Sequence, residues 1–223
     1  MTSARTAILD RVRSANAGAT SIAAAQSDWM QIRRDYTIAA SSTRQAILAL
    51  FEDRLLDYDG TVAHCAPDDI APTLTKILSA AGVRRIGVPA GLSCALPDGF
   101  DFVTDEGLSI QQLNTLDAVL SRCVLAIAET GTLVLQNNSI LGRRALTLIP
   151  DTHICLVKPS QVVATVPEAF AQLEGTKTMP TTFVSGPSAT ADIEMTRVKG
   201  VHGPRFLHVV IIADDDSQTE GLT

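Results

Sequence analysis

The pattern of apolar residues predicts helices in the first part of the chain. Four apolar residues after position 42 are spaced by four, four and three, which places them on one face of a helix: Ile47, Phe51, Leu55 and Tyr58. Gly60 is expected to end this helix. The Ala/Ser-rich residues before it, up to about position 40, predict one amphipathic helix followed by an arm that crosses to the body of the protein or to a partner.

Helices then alternate with strand-like segments. Pro67, Asp68 and Asp69 are typical of a helix start, and Gly82 is typical of a helix end. The apolar residues between them share one helical face: Ile70, Leu74, Ile77 and Ala81. Strands are predicted before and after this helix, at 62–65, 85–89 and 100–103. The alternation favours an α/β fold with a parallel or mixed sheet and helices on its faces.

The middle third contains four closely spaced strand-like segments: 123–129, 132–136, 145–149 and 154–157. Because only short turns separate them, we expect hairpins that are inserted in the sheet or continue it. Thr165 and Glu168 then match a helix capping box and Gly175 a helix stop, so a short helix is expected between them. The last strands are predicted at 181–184 and 206–212.

Composition narrows the class of protein. The chain has 223 residues, 46% of them apolar and 19% charged, which is typical of a globular domain with a sizeable core. Its formal charge of -6 and the absence of long basic runs argue against nucleic acid as the main partner. No apolar run approaches the ~20 residues of a membrane helix, and no signal-peptide pattern is present. We therefore expect a cytoplasmic protein.

The sequence shows no metal-binding pattern. Its four cysteines are far apart and include no C-x-x-C pair: Cys65, Cys94, Cys123 and Cys155. This spacing disfavours a zinc or iron–sulfur site in this chain, so we expect reduced, mostly buried thiols and neither a metal nor a cofactor. Two histidines also lack metal-ligand spacing and are expected to be structural: His153 and His208.

Polar stretches with glycine lie at the ends of predicted strands, where open α/β sheets bind ligands. They are residues 129–132, 150–153 and 185–205. In the first stretch, Glu129 follows an apolar strand, and a partly desolvated carboxylate with a raised pKa can act as a base, a nucleophile or an acceptor for a substrate hydroxyl. It can equally well accept backbone N–H bonds in a turn, and the spacing does not decide between the two.

The third stretch offers two candidate anion-binding elements. Residues 185–192 follow a strand, and their N–H groups and hydroxyls can hold a carboxylate or phosphate; an ordinary Gly-Pro turn with a serine cap is the alternative. Further along, Arg205 can grip a carboxylate and His202 can move a proton. Alternatively, Arg205 forms a salt bridge with Asp192 or Glu194, and His202 caps a turn.

Two long segments together resemble the LUD-domain (lactate utilisation) family, in the LutC/YkgG form that lacks an iron–sulfur domain. They read AETGTLVLQNNSILGRRALTLIPDTHICLVKPSQVV and VSGPSATADIEMTRVKGVHGPRFLHVVII. The resemblance includes FEDRLLDYDGTV and covers about residues 42–213. It implies a fold like that of the NagB/RpiA/CoA-transferase group, with a mixed, largely parallel sheet and helices on both faces. It also divides the chain into an N-terminal helix and arm (1–40), a LUD domain (41–213) and an acidic tail (214–223).

The resemblance further implies a role in oxidising L-lactate to pyruvate. This subunit would work beside cysteine-rich partner proteins whose iron–sulfur clusters carry the electrons. The candidate catalytic residues are Glu129 and His202, which would face the reactive carbon of a small anionic substrate. The candidate substrate-binding residues, among which Arg205 and the 185–188 loop would hold the carboxylate, are Thr130, Gly131, Thr132, Ser185, Gly186, Pro187, Ser188, Asp192, Glu194, Gly203, Pro204 and Arg205.

Two other functions stay open at this point. A stand-alone transferase or isomerase would use Glu129 as its nucleophile, by analogy with the glutamate of related CoA transferases. A sensor of small acids, or a scaffold, would keep only a degenerate pocket. Whether the chain is an enzyme on its own is therefore undecided from the sequence.

Overall fold

The structure, a computed structural model, describes residues 3–16, 21–35, 39–190, 198–200 and 202–214. The chain divides into two compact units, Met1–Thr37 and Ile38–Thr223. The first unit contains α1 (Ala4–Ala15) and α2 (Ile22–Gln31), each of which begins after a serine whose hydroxyl accepts a backbone N–H bond. The expectation of one helix is therefore wrong, because Ser21 supplies a second N-cap.

The second unit contains five more α-helices among its described residues: α3 (Arg44–Asp57), α4 (Ile70–Ala81), α5 (Ile110–Leu113), α6 (Arg144–Leu148) and α7 (Val166–Leu173). Its strands are β1 (Thr61–Cys65), β2 (Arg85–Pro89), β3 (Asp101–Asp105), β4 (Ala118–Arg122), β5 (Leu125–Ile127), β6 (Thr132–Gln136), β7 (Thr152–Val157), β8 (Val162–Val163), β9 (Thr181–Ser185), β10 (Ala189–Thr190), β11 (Val198–Lys199) and β12 (Phe206–Ile212). None of the helices in the described part of the chain has the length and apolar character needed to cross a bilayer.

The strands form two principal sheets. The main sheet has six strands in the order β1-β12-β7-β4-β2-β3, and every neighbouring pair is parallel. The second sheet has the order β8-β5-β6-β9 and is mostly antiparallel. Strands β10 and β11 form a separate antiparallel pair. The expected mixed, largely parallel α/β fold is confirmed.

The core is layered around the main sheet. On one face, Ile154 and Val210 pack in a cluster with Leu74 of α4. On the other face, the neighbouring residues of β7 and β12 pack with Phe51 of α3 and Leu133 of the second sheet. Helix α7 covers the far side of the second sheet. Helices therefore flank both faces of the main sheet, as predicted.

Most of the predicted elements are confirmed. The helical faces at 44–57 and 70–81 each bury two of their four predicted apolar residues, and Gly82 ends α4 in the left-handed conformation with φ 67°. Ala81 is exposed, however, and Leu78 is buried on that face instead. The capping box that starts α7 is present.

The middle third differs from the prediction in three ways. Residues 145–149 form most of α6 and its end, not a strand, because a short apolar run fits either element. The segment 154–157 belongs to the centre of the parallel main sheet and does not form a hairpin. The predicted strand at 123–129 is shorter, because the chain leaves the main sheet after β4 and enters the second sheet at β5.

Some of the predictions concern residues that the structure does not describe. The tail beyond residue 214 and the site candidates Asp192 and Glu194 are outside the described residues. The proposed division at residues 40 and 213 stays a prediction.

Candidate functional site

A cavity of about 240 Å³ lies where the main and second sheets meet. The main sheet contributes His153 at the start of β7 and Leu207 at the start of β12, and the second sheet contributes the end of β9. The cavity is therefore at the amino ends of these parallel strands, whereas open α/β sheets usually bind ligands outside the carboxyl ends of their strands. The reason is that the polar stretches 150–153 and 185–205 precede β7 and β12 and do not follow them.

Ser188 holds the two polar loops of the cavity together. Its backbone N–H donates to the carbonyl of Pro204 at 2.8 Å, and its own carbonyl accepts from the N–H of Gly200 at 2.8 Å. Its Oγ accepts from the N–H of His202 at 3.1 Å. These bonds bring together seven predicted site residues as cavity lining: Ser185, Gly186, Pro187, Ser188, His202, Gly203 and Pro204.

Helix α6 adds a cation that the sequence did not single out. Arg144 and Thr147 line the cavity, and Arg144 Nη1 donates to Thr147 Oγ1 at 3.3 Å. Among the described residues, no carboxylate lies within 4 Å of the Arg144 guanidinium. Its charge is thus available to an anion in the cavity. Arg144 was missed because its segment was interpreted as a strand, although it belongs to the first family-like segment.

His153 forms a buried part of the cavity wall. Its side chain is hydrogen-bonded to Ser121 of β4, with 2.7 Å between Nε2 and Ser121 Oγ, and only 1% of the residue is exposed. Burial lowers the pKa of His153 to about 4, with a smaller contribution from the charge of Arg144. The imidazole is therefore neutral at physiological pH. The expected structural role holds for this histidine, but it also borders the cavity.

Glu129 does not line the cavity. It lies in the tight turn between β5 and β6 with an exposed side chain, and its backbone N–H donates to the carbonyl of Ala164 at 3.0 Å. Of the two interpretations left open for Glu129, a partly desolvated carboxylate does not fit this exposed side chain. A catalytic role for Glu129 stays a prediction. Two hydroxyl contacts connect the turn to the cavity edge, from Thr130 to Thr132 at 2.7 Å and from Thr132 to Ser185 at 2.6 Å.

Arg205 forms an ion pair with Asp151, a partner that the sequence did not predict. Its Nε lies 3.4 Å from Asp151 Oδ1, and its backbone N–H donates to the Asp151 carbonyl at 2.8 Å. The side chain is exposed and is not part of the cavity lining. Arg205 therefore forms an ion pair, but with Asp151 and not with the predicted Asp192 or Glu194. This pair joins the segment before β12 to the segment before β7.

Gly131 makes the turn beside Glu129 sterically dependent on glycine. It has φ 57°, and a Cβ there would lie 2.8 Å from Arg54 Cβ and 2.9 Å from the Arg54 carbonyl carbon. We expect Gly131→Ala to lower the free energy of unfolding by about 1–2 kcal/mol for the left-handed backbone and by about 1–3 kcal/mol more for the clash with α3. Urea unfolding monitored by circular dichroism measures both contributions together.

Gly82→Ala is the matched control for this prediction. Gly82 has φ 67°, but a Cβ there would have no atom within 4 Å. This variant is expected to show only the backbone cost. If both variants lost the same free energy of unfolding, a Cβ at position 131 would not clash with Arg54 of α3.

The fold and the cavity define an α/β protein with a candidate anion site between two sheets. The model of the LUD domain matches residues 4–212, so the chain belongs to the LUD-domain family. A Lactate utilization protein C of Deinococcus radiodurans is 44% identical over 181 residues, which cover 79% of this chain and 84% of that protein. A second protein of that name, from Geobacillus thermodenitrificans, is 26% identical over 80% of this chain and 83% of its own length.

A solved structure resembles this fold. It is the crystal structure of a DUF162 family protein from Deinococcus radiodurans, with a TM-score of 0.67 and 40% sequence identity. The match covers 77% of this chain and 99% of that chain. Most of this fold is therefore shared with a solved relative.

Proposed function

We propose that this protein is a subunit of a lactate-utilisation system that oxidises L-lactate to pyruvate together with iron–sulfur partner proteins. The proteins named Lactate utilization protein C support a role in lactate utilisation, since one of them is 44% identical over most of the chain. The subunit contributes a pocket for a small carboxylate. The partner proteins carry the electrons.

The assignment of electron transfer to partners is supported by the arrangement of potential ligands. Cys123 and Cys155 are buried in the core, and Cys65 and Cys94 are half-buried elsewhere. The described ranges contain no group of three or more His, Cys, Asp or Glu side chains placed to hold a metal ion. We propose that the partner proteins ligate the iron–sulfur clusters.

One observation supports the ligand part of the proposal: among the residues that the structure describes, the Arg144 guanidinium has no carboxylate partner. A guanidinium donates two parallel N–H bonds to a carboxylate, and such charge-assisted bonds are stronger than neutral ones. Ser188 can donate its hydroxyl proton to the same ligand, because its Oγ already accepts from the N–H of His202. His202 is exposed and lines the cavity, so it can exchange a proton between ligand and solvent.

Co-purification tests the proposed subunit role. The tagged full-length chain, isolated from cells grown on lactate, is expected to bring down cysteine-rich proteins with the visible absorbance of iron–sulfur clusters. The assembled complex is expected to reduce an artificial electron acceptor when L-lactate is added, and the isolated chain is not. Recovery of the chain without iron–sulfur proteins, or lactate oxidation by the chain alone, would contradict the proposal.

Substitution of Arg144 tests the pocket within that complex. Arg144→Met is expected to lower lactate-dependent reduction at least tenfold, because the carboxylate loses its charge-assisted bonds. Arg84→Met is a matched control, since Arg84 is exposed and does not line the cavity. If Arg144→Met and Arg84→Met had equal activity, the cavity would not take part in lactate oxidation.

A further inference from the structure

At the cavity wall, one ring nitrogen of His153 has no partner among the side chains and backbone groups that the structure describes. Nε2 is bonded to Ser121, while Nδ1 has no hydrogen-bond partner in the described part of the chain. Within the same residues, no side-chain nitrogen or oxygen is both fully enclosed and unpaired. Nδ1 therefore borders open space, and the cavity is open space that His153 lines.

The bond to Ser121 determines which nitrogen carries the proton. The Ser121 side chain is fully buried on β4, and its hydroxyl has His153 Nε2 as its only hydrogen-bond partner among the described residues. A buried hydroxyl proton without an acceptor is costly, so Ser121 donates and Nε2 accepts. The neutral imidazole then carries its proton on Nδ1. His153 thus presents a fixed N–H donor to the cavity.

Donors from several elements converge on the cavity. The Arg144 guanidinium can only donate, Nδ1–H of His153 can only donate, and the hydroxyl of Ser188 is free to donate. A 2-oxo acid matches this set because its carboxylate and carbonyl oxygens only accept. The hydroxyl of a 2-hydroxy acid can also accept from Nδ1–H, but its own proton then needs an acceptor from the cavity or from water.

We infer that the cavity binds a 2-oxo acid in preference to the corresponding 2-hydroxy acid, with the carboxylate on Arg144 and the oxo oxygen on Nδ1–H of His153. This inference rests on the proposed function, since it takes the cavity to be the carboxylate site of the subunit. It assigns Ser121 as a positioning residue that sets the proton on His153. In the lactate system, the preferred ligand corresponds to the oxidised product.

Calorimetric titration of the purified full-length chain tests the preference, with pyruvate and L-lactate as probes. Pyruvate is expected to bind about five- to tenfold more tightly, which is the effect of roughly one net hydrogen bond. In Ser121→Ala, Nε2 no longer has a hydroxyl donor, so the proton can move to either nitrogen and the ratio of the two affinities is expected to fall towards one. Arg144→Met is expected to weaken both ligands at least tenfold and to leave their ratio unchanged.

A nitrogen NMR spectrum of the wild-type protein tests the tautomer without any substitution in the pair. The His153 signals, assigned by their loss in His153→Gln, are expected to show a protonated Nδ1 and an unprotonated Nε2. Tighter binding of lactate, an unchanged ratio in folded Ser121→Ala, or a protonated Nε2 would each overturn the inference. Absence of binding by either probe would also overturn it, while co-purification with iron–sulfur proteins reports independently on the subunit role.

Discussion

Arg143→Met is expected to lower the free energy of unfolding by about 3 kcal/mol at neutral pH. Arg143 donates from Nε and Nη2 to the two carboxylate oxygens of Asp105 at 2.7 and 2.9 Å. The Asp105 side chain is only 2% exposed, so the substitution leaves a buried carboxylate without its cation. Removing one partner of a buried ion pair costs about 3–5 kcal/mol. We expect the lower end of this range, because Gly107 and Leu108 still donate N–H bonds to Asp105.

The pH dependence of the stability lost in Arg143→Met shows whether the ionised Asp105 carboxylate causes it. Burial by itself raises the pKa of Asp105, but the bonds from Arg143, Leu108 and Gly107 outweigh burial and leave the pKa below its ordinary value of 3.8. A lowered carboxyl pKa stabilises the fold above 3.8, and this contribution is lost as the pH falls through the lowered value. Urea unfolding should therefore show the full difference between wild type and variant at pH 7 and a smaller one below pH ~4.

Lys177→Met is a control for the Arg143 prediction. Lys177 pairs with Glu174, and both side chains are mostly exposed. Because exposed ion pairs contribute little, this variant should unfold nearly as the wild type does. A similar small effect for Arg143→Met would show that the Asp105 pair does not anchor the segment that leads into α6.

The second large effect is an acid-induced loss of stability that depends on His153. The folded protein has a His153 pKa of about 4, whereas an unfolded histidine has one near 6.5. Between these values the unfolded chain binds a proton that the folded chain does not, so stability is complete above pH 6.5 and decreases as the pH falls towards 4. Over this interval we expect a loss of about 3 kcal/mol from this residue.

His153→Gln isolates that contribution. The glutamine amide can bond to Ser121 but does not titrate, so the variant should lose less stability than the wild type between pH 6.5 and 4. Burial also lowers the pKa of His208, but this histidine is present in both proteins and cancels in the comparison. Parallel curves of unfolding free energy against pH would contradict the assignment.

The sequence predicted those parts of the fold whose patterns are long and regular. The faces of α3 and α4 and the strand β12 follow directly from periodicity, and Gly82 ends α4 as predicted. Gly60 does not end α3, because Tyr58 is its C-cap and Asp59 takes the left-handed conformation with φ 63°. Helix α6 was not predictable from its pattern, because Ala145, Leu146 and Leu148 suit a strand or a single helical turn equally well. Its conformation depends on tertiary contacts, namely the burial of Leu146 and the bond between Arg143 and Asp105.

The candidate site was predictable only in part. The 185–188 and 202–204 stretches were recognised from glycine, proline and hydroxyl residues, and the structure places them together. Arg144 could not be assigned to them, since it comes from a segment more than forty residues earlier whose element was mistaken. Glu129 was overrated because a short strand does not reveal that the turn after it is exposed.

We propose that the anion binds beside Arg144 and not beside Glu129 or Arg205. Ligand-induced thermal shift with pyruvate, measured for Arg144→Met, Glu129→Gln and Arg205→Met, tests it directly. A ligand at ~100 times its dissociation constant adds about 2.7 kcal/mol of stability, which is readily measured. We predict that Glu129→Gln and Arg205→Met keep the shift of the wild type and that Arg144→Met loses it. A shift retained in Arg144→Met and lost in either of the other variants would contradict the account.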